Sequence, residues 1–460
     1  MAESRKLPIV AIVGRANVGK SSLFNAILER REAIVTREAG TTRDSISAKA
    51  GFNGQQFWIV DTAGMKDPED DFEESIQEQI IQASNSADVI VVVAEAGTII
   101  SEEDRQVATL ALRSKKPTIL VVNKIDHGRQ DSVYEFAKLG IKDIVGTSVT
   151  QSKGIYELLE HITATIVKVP HRQENERLKI ALLGRPNVGK SSLFNSLLNK
   201  QQALVAARAG TTRDINRAIV RYKNQELEIM DTAGIRRSGR IERGVEHFSV
   251  LRALAAIEEA DICLLLVDTL EPNVSQDQKI AGMVKDAGRG LVLVLSKWDA
   301  LGEESDVVNY DSIIKRVSAD YEFVAWAPLL VTSSVSGQNV TKLFDLALKI
   351  KQARENQVST HELNNWLGRA IRDHPPAGLK NRMPKLNYMV QETDNPIPAF
   401  KIFGSQTSFI HWSYRRYLEN KLREQFDFFG NPIQLWFIDK HAAKLSKEKI
   451  TESATTEAQD

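Results

Sequence analysis

The chain has 460 residues, of which 42% are apolar and 26% charged, with 60 basic and 60 acidic side chains. This length predicts two or three domains of an ordinary globular protein. The longest apolar runs, at 89–93 and 262–267, are too short to cross a bilayer, and the N-terminus shows no signal-peptide pattern. The single cysteine, Cys263, excludes a disulfide framework, and its apolar surroundings predict a buried side chain.

The predicted elements begin with a short strand at 9–13, a glycine-rich turn and a helix at 21–30. Further strand patterns follow at 57–61, 88–94, 118–124 and 143–148, with helix-like segments between them. The same rhythm returns with strands at 179–183, 226–231, 261–268, 291–297 and 327–333. This alternation predicts an α/β fold with two tandem, doubly wound and mostly parallel sheets.

The rhythm changes beyond residue 351, where a small α+β module is predicted. Its elements are a helix at 361–374, strands at 385–393 and 399–405, a helix at 413–426 and a strand at 433–438. We therefore divide the chain into a first domain at 1–170, a linker at 171–177, a second domain at 178–351, a third domain at 359–440 and a disordered tail at 441–460.

One nine-residue segment occurs twice, as GRANVGKSS at 14–22 and as GRPNVGKSS 170 residues later. Each copy lies between a predicted strand and a predicted helix, which is the context of a phosphate-binding loop. We expect Lys20 and Lys190 to reach the β- and γ-phosphates, and Ser21 and Ser191 to place a hydroxyl on magnesium. The predicted loop residues are Gly14, Arg15, Ala16, Asn17, Val18, Gly19, Lys20, Ser21 and Ser22, and Gly184, Arg185, Pro186, Asn187, Val188, Gly189, Lys190, Ser191 and Ser192.

Two more motifs recur at the same offset. In AGTTRD, we expect Thr42 and Thr212 to complete the magnesium shell, whereas an isolated Thr-Thr pair is usually a turn or a helix cap. In DTAG, Asp61 and Asp231 end buried strands and can contact magnesium through water, while the N–H groups of Gly64 and Gly234 can meet the γ-phosphate. The neighbouring residues predicted to line these sites are Thr62, Ala63, Met65, Thr232, Ala233 and Ile235.

A fourth motif predicts the base. NKID at 123–126 and SKWD at 296–299 each follow a buried strand, and a carboxylate there can accept from guanine N1–H and the N2 amine, a pairing that adenine lacks. The alternative is an ordinary surface-loop aspartate. The predicted base residues are Asn123, Lys124, Asp126, Ser148 and Val149, and Ser296, Lys297, Trp298, Asp299, Ser333 and Ser334.

These elements, in this order, resemble the translation-factor-related GTPases. Two such units followed by a small domain resemble one family, the double Era-like GTPases (Der or EngA), over residues 5–440. The resemblance implies hydrolysis of GTP to GDP and phosphate, a KH-like third domain, and a role in assembly of the large (50S) ribosomal subunit and contact with its rRNA. We expect a cytoplasmic monomer without membrane or DNA partners.

The chain departs from the family pattern at Ser296, where the family has Asn. A shorter hydroxyl is expected to reach the purine N7 and the phosphate loop less well, which predicts weaker guanine binding at the second site. Ala16 stands where the second loop has Pro186, a change of little consequence. The third domain contains no GxxG loop, which argues against a KH-type backbone clamp on RNA.

Hydrolysis requires another group in place of the glutamine that follows the DxxG glycine in many GTPases, because Met65 and Ile235 occupy these positions. The resemblance suggests a potassium ion held partly by Asn17 and Asn187. A different hypothesis is a ribosome-bound scaffold whose second site scarcely turns over. A tRNA-modification GTPase or a membrane-associated relative is disfavoured, because the tandem repeat does not belong to either.

Two charged segments predict unequal partners for the two units. The segment after the second DTAG is basic at 236–243, whereas the segment after the first is acidic at 65–75. The basic run is either a solvated face or a surface for rRNA phosphates. In the third domain, Arg415 and Arg416 lie among aromatic residues, a mixture that suits RNA but is also found in domain cores.

Overall fold

A computed structural model describes residues 7–29, 47–62, 80, 83, 86–127, 132–167, 177–200, 216–231, 250–272, 274–301, 308–376, 382–393 and 395–439. The AGTTRD loops with Thr42 and Thr212, the DTAG residues from Ala63 to Met65 and from Thr232 to Ile235, the charged segments that follow them and the tail at 441–460 lie outside these ranges. No helix within the described ranges is long and apolar enough to cross a membrane.

The first domain contains a six-stranded sheet in the order β2-β3-β1-β4-β5-β6. Its strands are β1 (Ile9–Val13), β2 (Ser47–Phe52), β3 (Gln55–Asp61), β4 (Val89–Glu95), β5 (Thr118–Asn123) and β6 (Asp143–Thr147). The helices described in this domain are α1 (Lys20–Glu29), α2 (Glu102–Arg113), the short α3 (Ser132–Glu135) and α4 (Ile155–Ile166). All neighbouring strands run parallel except β2, which pairs antiparallel with β3.

The antiparallel strand β2 was not among the predicted elements. Its sequence, SAKAGF, has no continuous apolar run. The strand needs none, since it lies at the edge of the sheet and is only partly buried. The signal for this hairpin is the two-residue turn at Asn53 and Gly54, whose positive φ angles of 49° and 76° suit the twist between two antiparallel strands.

The core of the first domain follows from its apolar patterns. All residues of β1 are buried, as a parallel strand covered on both faces requires. Helix α4 buries Leu158, Leu159 and Ile162 in the same cluster as Leu23 and Ile27 of α1. Each such side chain contributes ~1.5–3 kcal/mol to folding when it is fully buried.

The second sheet repeats this arrangement, in the order β12-β11-β10-β7-β9-β8. Its strands are β7 (Leu178–Leu183), β8 (Asn216–Tyr222), β9 (Gln225–Asp231), β10 (Ile262–Asp268), β11 (Gly290–Ser296) and β12 (Leu329–Val331). Its described helices are α5 (Lys190–Lys200), α6 (Val250–Glu259), α7 (Ser275–Ala287), α8 (Val308–Asp320) and α9 (Lys342–Arg354). Cys263 is buried in β10, as predicted.

The third domain has a three-stranded sheet and two helices, each within one residue of its predicted limits. The elements are α10 (Thr360–Asp373), β13 (Lys385–Glu392), β14 (Ala399–Ser405), α11 (Trp412–Gln425) and β15 (Gln434–Asp439). Strand β14 pairs antiparallel with β13 and parallel with β15. Helix α10 begins with a capping box between Ser359 and Glu362, the sequence signal that marks its start.

Arg415, Arg416 and the aromatic residues beside them in the third domain have different environments. Tyr414 belongs to the core, and its hydroxyl donates to the carbonyl of His374 at 2.8 Å. Trp412 is 53% exposed. Arg415 lies over the ring of Phe437, and Arg416 pairs with Glu322 of the second domain at 2.7 Å. The helix thus combines a core residue with exposed ones.

The third domain and residues 261–354 of the second domain belong to one compact unit. They are joined by the loop before β15, where the carbonyl of Gly430 accepts from the N–H of Leu291 at 3.0 Å. Asn431 is fully buried and donates from its amide to the carbonyl of Ile350 at 2.8 Å. Its side-chain oxygen accepts from Nε of Arg354 at 3.0 Å.

Arg354 ends helix α9 beneath this loop and also donates to the carbonyl of Asp261 at 2.9 Å. Burial lowers the pKa of Arg354 to about 10, although attraction to Asp261 works against that shift. The guanidinium therefore remains charged at neutral pH, held by neutral acceptors on both domains. Helix α9 extends past the domain boundary predicted at 351, so the junction begins within a helix.

We expect Gly430→Ala to loosen this junction. Gly430 has φ +64°, and an added Cβ would lie 2.3 Å from Cγ1 of Ile350. The clash and the strained backbone predict a loss of about 1–3 kcal/mol in unfolding free energy. The matched control is Gly368→Ala in helix α10, where an added Cβ meets nothing within 4 Å. This control should raise stability by up to ~1 kcal/mol. Equal thermal unfolding temperatures for the two variants would contradict this description of the junction.

Candidate nucleotide-binding sites

The predicted motifs of the first domain meet at one edge of its sheet. Strand β1 lies between β3 and β4, so the strand order reverses beside it, and ligands of such sheets bind outside the carboxyl ends at this point. The register places Asp61 beside Ile12, Glu95 beside Asn123, and Asn123 beside Thr147. The end of β1 leads directly into the loop at 14–22.

Lys20 is the first residue of helix α1 and lies within the loop segment 14–22. Its side chain is buried, and Nζ donates to the carbonyl oxygens of Gly14 and Arg15, both at 2.7 Å. Burial lowers the pKa of Lys20, and Asp61 opposes that shift. The lysine is thus held against the backbone of the loop, next to the first N–H groups of a helix, as a phosphate site requires.

The loop passes so close to the sheet that its first residue must be glycine. A Cβ added at Gly14 would lie 2.4 Å from the carbonyl oxygen of Val93 in β4. At the matching Gly184, the distance to the carbonyl oxygen of Leu266 in β10 would be 2.6 Å. Asn17 and Asn187 take left-handed φ angles of 63° and 62°, which Asn tolerates better than most residues.

The base motif of the first domain is bonded to the phosphate loop. Asn123 is buried, and its Nδ2 donates to the carbonyl of Val18 at 3.0 Å. Its Oδ1 accepts from the hydroxyl of Thr147 at 3.1 Å. Lys124 donates to the carbonyl of Asn17 at 3.0 Å and to Glu95 at 2.9 Å. The residues predicted to bind phosphate and base therefore form one connected group.

Asp126 follows on a short 3-10 turn and accepts from the hydroxyl of Thr150 at 2.8 Å. Ser148 is fully buried, and its N–H donates to the carbonyl of Lys153 at 3.1 Å. The loop that carries Ser148 and Val149 is therefore closed on itself beside the aspartate. This geometry fixes the carboxylate that we expect to read guanine.

The second phosphate loop has the same internal bonds. Lys190 is buried and donates to the carbonyl oxygens of Gly184 and Arg185 at 2.9 and 2.6 Å. In the second base motif, Asp299 accepts from the hydroxyl of Ser333 at 2.6 Å. Near Ser333, an open groove of about 330 Å³ lies between helix α5 and the loop that follows β12. Its lining includes Ser192 and Asn195 from the helix and Ser334 from the loop.

The expectation that Ser296 reaches the phosphate loop poorly is wrong. Its Oγ donates to the carbonyl of Val188 at 2.7 Å, and it also lies 3.2 Å from the carbonyl oxygen of Val267. A serine can make this bond because the end of β11 brings its short side chain directly against the loop. The two sites differ instead in the space beside the last glycine of the phosphate loop. A Cβ added at Gly19 would lie 2.4 Å from Nδ2 of Asn123, whereas one at Gly189 would meet nothing within 4 Å.

The residues that we expect to hold magnesium lie at the carboxyl ends of strands and in the first turns of helices, where the structure describes them. Asp61 and Asp231 end β3 and β9, and both carboxylates are buried. Ser21 and Ser191 lie in the first turns of α1 and α5 on exposed positions. Oxygen donors of this kind are the ligands that magnesium prefers. No group of three or more His, Cys, Asp or Glu side chains within the described ranges could hold a metal by itself.

Two carboxylates were missed by the sequence analysis. Glu95 ends β4 and pairs with Lys124, and hydrogen bonding from that lysine lowers the pKa of Glu95. Asp268 ends β10 and accepts from Lys297 at 2.7 Å. Each base-motif lysine is thus held over the site by an acidic residue on the neighbouring strand. The signal was available, because both carboxylates close a buried apolar run in the same way as Asp61 and Asp231.

We expect substitutions at Ser296 and Asn123 to change the GDP affinities of the two sites in opposite directions. Ser296→Asn should fit into the space beside Gly189 and raise GDP affinity at the second site by several-fold, through an added hydrogen bond. Asn123→Ser should lower affinity at the first site, because the hydroxyl of Thr147 then loses its acceptor. The measurement is titration with a fluorescent GDP analogue, with the other site disabled by Asp126→Ala or Asp299→Ala. Unchanged affinity in both variants would contradict this assignment.

Comparison with protein families gives a match in each of the three domains. The model described as "50S ribosome-binding GTPase" matches residues 9–124 and 179–297. The model described as "KH-domain-like of EngA bacterial GTPase enzymes, C-terminal" matches residues 357–437. The two matches of the first model begin at β1 and β7 and end within the two base motifs, so they cover both phosphate loops but stop before Asp126 and Asp299.

Whole-chain relatives carry the name GTPase Der. The protein of that name from Gemmatimonas aurantiaca is 40% identical over 430 residues, which cover 93% of this chain and 98% of the relative. The one from Herpetosiphon aurantiacus is 41% identical over 440 residues, which cover 94% and 96%. With two loops of the same geometry and a KH-like domain behind them, this chain belongs to the Der (EngA) family of GTP-hydrolysing enzymes.

Proposed function

We propose that this GTPase acts in assembly of the large (50S) ribosomal subunit, binding it in one nucleotide state and leaving it in the other. The observation that carries this proposal is the pair of connected nucleotide sites, each bonded from base motif to phosphate loop, in one chain with a KH-like domain. The family model that matches both G domains is described as ribosome-binding. Two nucleotide sites in one chain suit a factor that responds to two separate steps in the assembly of one large substrate.

The phosphate and base assignments made from the sequence are part of this proposal. Lys20 and Lys190 would contact the β- and γ-phosphates, and Asp126 and Asp299 would pair with guanine. Magnesium would be held by the hydroxyls of Ser21 and Ser191, with Asp61 and Asp231 behind it, and Thr42 and Thr212 would complete its shell. When bound, the ion neutralises charge on the transferred phosphoryl group.

Potassium is the second cation that we propose. Asn17 and Asn187 lie in the loops with left-handed backbones, and their side-chain oxygens are hard donors suited to a monovalent cation. Met65 and Ile235 cannot orient water as glutamine does. A cation beside the phosphates would supply electrostatic stabilisation that no side chain at these positions supplies.

The alternative proposal, a scaffold with little turnover at the second site, is weakened by one observation. Ser296 bonds to the phosphate loop at 2.7 Å, so the second site retains the link between base motif and phosphates that the first site has. Both sites also place their lysine against two loop carbonyls. We therefore favour two functional sites with unequal affinities.

We expect Lys20→Ala and Lys190→Ala to change the binding of large ribosomal subunits in different ways. Each removes the ammonium that compensates phosphate charge at one site, so the variant that disables the switch should lose the difference between GDP and a non-hydrolysable GTP analogue. The measurement is co-sedimentation of the purified chain with large and small subunits. Lys142→Ala, an exposed lysine on the loop before β6, is the control. Binding that ignores nucleotide in the wild-type chain would contradict the proposal.

We expect GTP hydrolysis to be faster in potassium than in sodium salts of equal ionic strength, by about tenfold or more, because the smaller sodium ion does not satisfy the same donors. Asn17→Ala and Asn187→Ala should each remove the potassium response of one site. The measurement is phosphate release under single-turnover conditions. Equal rates in the two salts would contradict the potassium assignment and leave the GTPase assignment intact.

A further inference from the structure

The arginine at the second position of each phosphate loop turns its side chain towards carboxylates. Nη2 of Arg15 lies 3.4 Å from Glu95 and Nε lies 3.3 Å from Asp104. Nε of Arg185 donates to Asp277 at 2.9 Å, and Nη1 lies 3.3 Å from Glu271. Both sites thus pair this arginine with a carboxylate, through a hydrogen bond at Nε of Arg185 and through an ion pair without a hydrogen bond at Nε of Arg15.

The backbone of the same arginines holds the phosphate-loop lysines. The carbonyl oxygen of Arg15 accepts from Nζ of Lys20 at 2.7 Å, and that of Arg185 accepts from Lys190 at 2.6 Å. One residue thus connects the lysine on its backbone side to a carboxylate on its side-chain side. A shift of the arginine would move the carbonyl against which the lysine is placed.

One of the two carboxylates at each arginine comes from the first turn of a neighbouring helix and is buried. Asp104 is 3% exposed in α2, and its Oδ2 also accepts from the hydroxyl of Ser101 at 2.8 Å in the capping box of that helix. Asp277 is fully buried in α7. Glu271, in contrast, is an exposed partner of Arg185, with 71% of its side chain accessible.

Burial of Asp277 works against its own charge. Desolvation raises the pKa of Asp277 to about 6, even though Arg185 and Lys190 attract the carboxylate. A buried ion pair of this kind is weak evidence for a role in stability, because well-packed apolar residues would usually serve as well. Its presence at the phosphate loop therefore favours a role in the site.

We infer that Asp277 is a positioning residue of the second site, which holds Arg185 so that the loop backbone presents Lys190 to the phosphates, and that Asp104 does the same for Arg15 and Lys20. This inference rests on the proposed assignment of the loops to phosphate binding. Each aspartate acts through its arginine.

The test uses the full chain in a Lys20→Ala background, so that nucleotide binding reports the second site. Asp277→Ala should weaken GDP binding by about tenfold, the effect of losing one charge-assisted hydrogen bond. Asp277→Asn keeps an oxygen that can accept from Nε of Arg185 but loses the charge, so its affinity should lie between those of the wild type and Asp277→Ala. Glu271→Gln, the exposed partner of the same arginine, should change affinity by less than about twofold.

A double-mutant cycle distinguishes positioning from a merely structural role. Because Asp277 acts through Arg185, Asp277→Ala should have no further effect once Arg185→Met is present. Losses that multiply in the double variant, or unchanged GDP affinity in Asp277→Ala with an unaltered unfolding temperature, would overturn the inference. If Asp277→Ala does not fold, Asp277→Asn and the pH profile below decide the question.

The pH profile gives an independent measurement. Arg185 and Lys190 from the loop, Tyr321 from the end of α8 and, through its bond to Arg185, Glu271 are the groups that face Asp277. As pH falls from 7 to 5.5, Asp277 takes up a proton and its ion pair weakens, so wild-type affinity should fall more steeply than that of Asp277→Asn. Parallel profiles would overturn the inference. Lys190→Ala must abolish GDP binding in the same background, and if it does not, the loop assignment itself fails.

Discussion

The hydrogen bond from the end of one strand to the phosphate loop is the constraint on which each site depends. Asn123 at the end of β5 and Ser296 at the end of β11 donate to the carbonyls of Val18 and Val188. Without such a bond, the end of the strand would not be fixed to the backbone of the phosphate loop. With it, a nucleotide that carries a guanine base and phosphates would meet one preorganised group, which would lower the entropic cost of binding.

This constraint is possible only because parallel strands end at one edge. The strand order places β1 between β3 and β4, and the matching β7 between β9 and β10, so each loop leaves the sheet at the reversal of strand order. The close approach of Gly14 to Val93 and of Gly184 to Leu266 is the result. The acidic ends of β4 and β10, Glu95 and Asp268, then hold the lysines of the base motif. The positions of the site residues thus follow from the strand order of the sheet.

The two sites share this frame and differ at its details. The first fills the space beside Gly19 with an asparagine amide, whereas the second has a serine and open space beside Gly189. The second domain also carries the third domain on a junction of buried polar bonds, with Arg354 and Asn431 at its centre. A charged guanidinium held by neutral acceptors gives such a junction directional geometry that apolar packing alone would lack.

The sequence by itself determined the architecture and the family. Short continuous apolar runs that alternate with helix-like segments indicate strands covered on both faces, and the repeat at a constant offset indicates two copies of one domain, so the α/β fold and the family followed from local pattern. The tertiary structure decided what depends on distance between segments remote in the chain. The reach of Ser296 to Val188 and the pairing of Asp277 with Arg185 depend on how far neighbouring strands and helices extend at the shared edge, which no local pattern specifies. The hydroxyl of Ser296 was expected to be too short to reach the loop. It bonds to the carbonyl of Val188 because the loop backbone lies close to the end of β11.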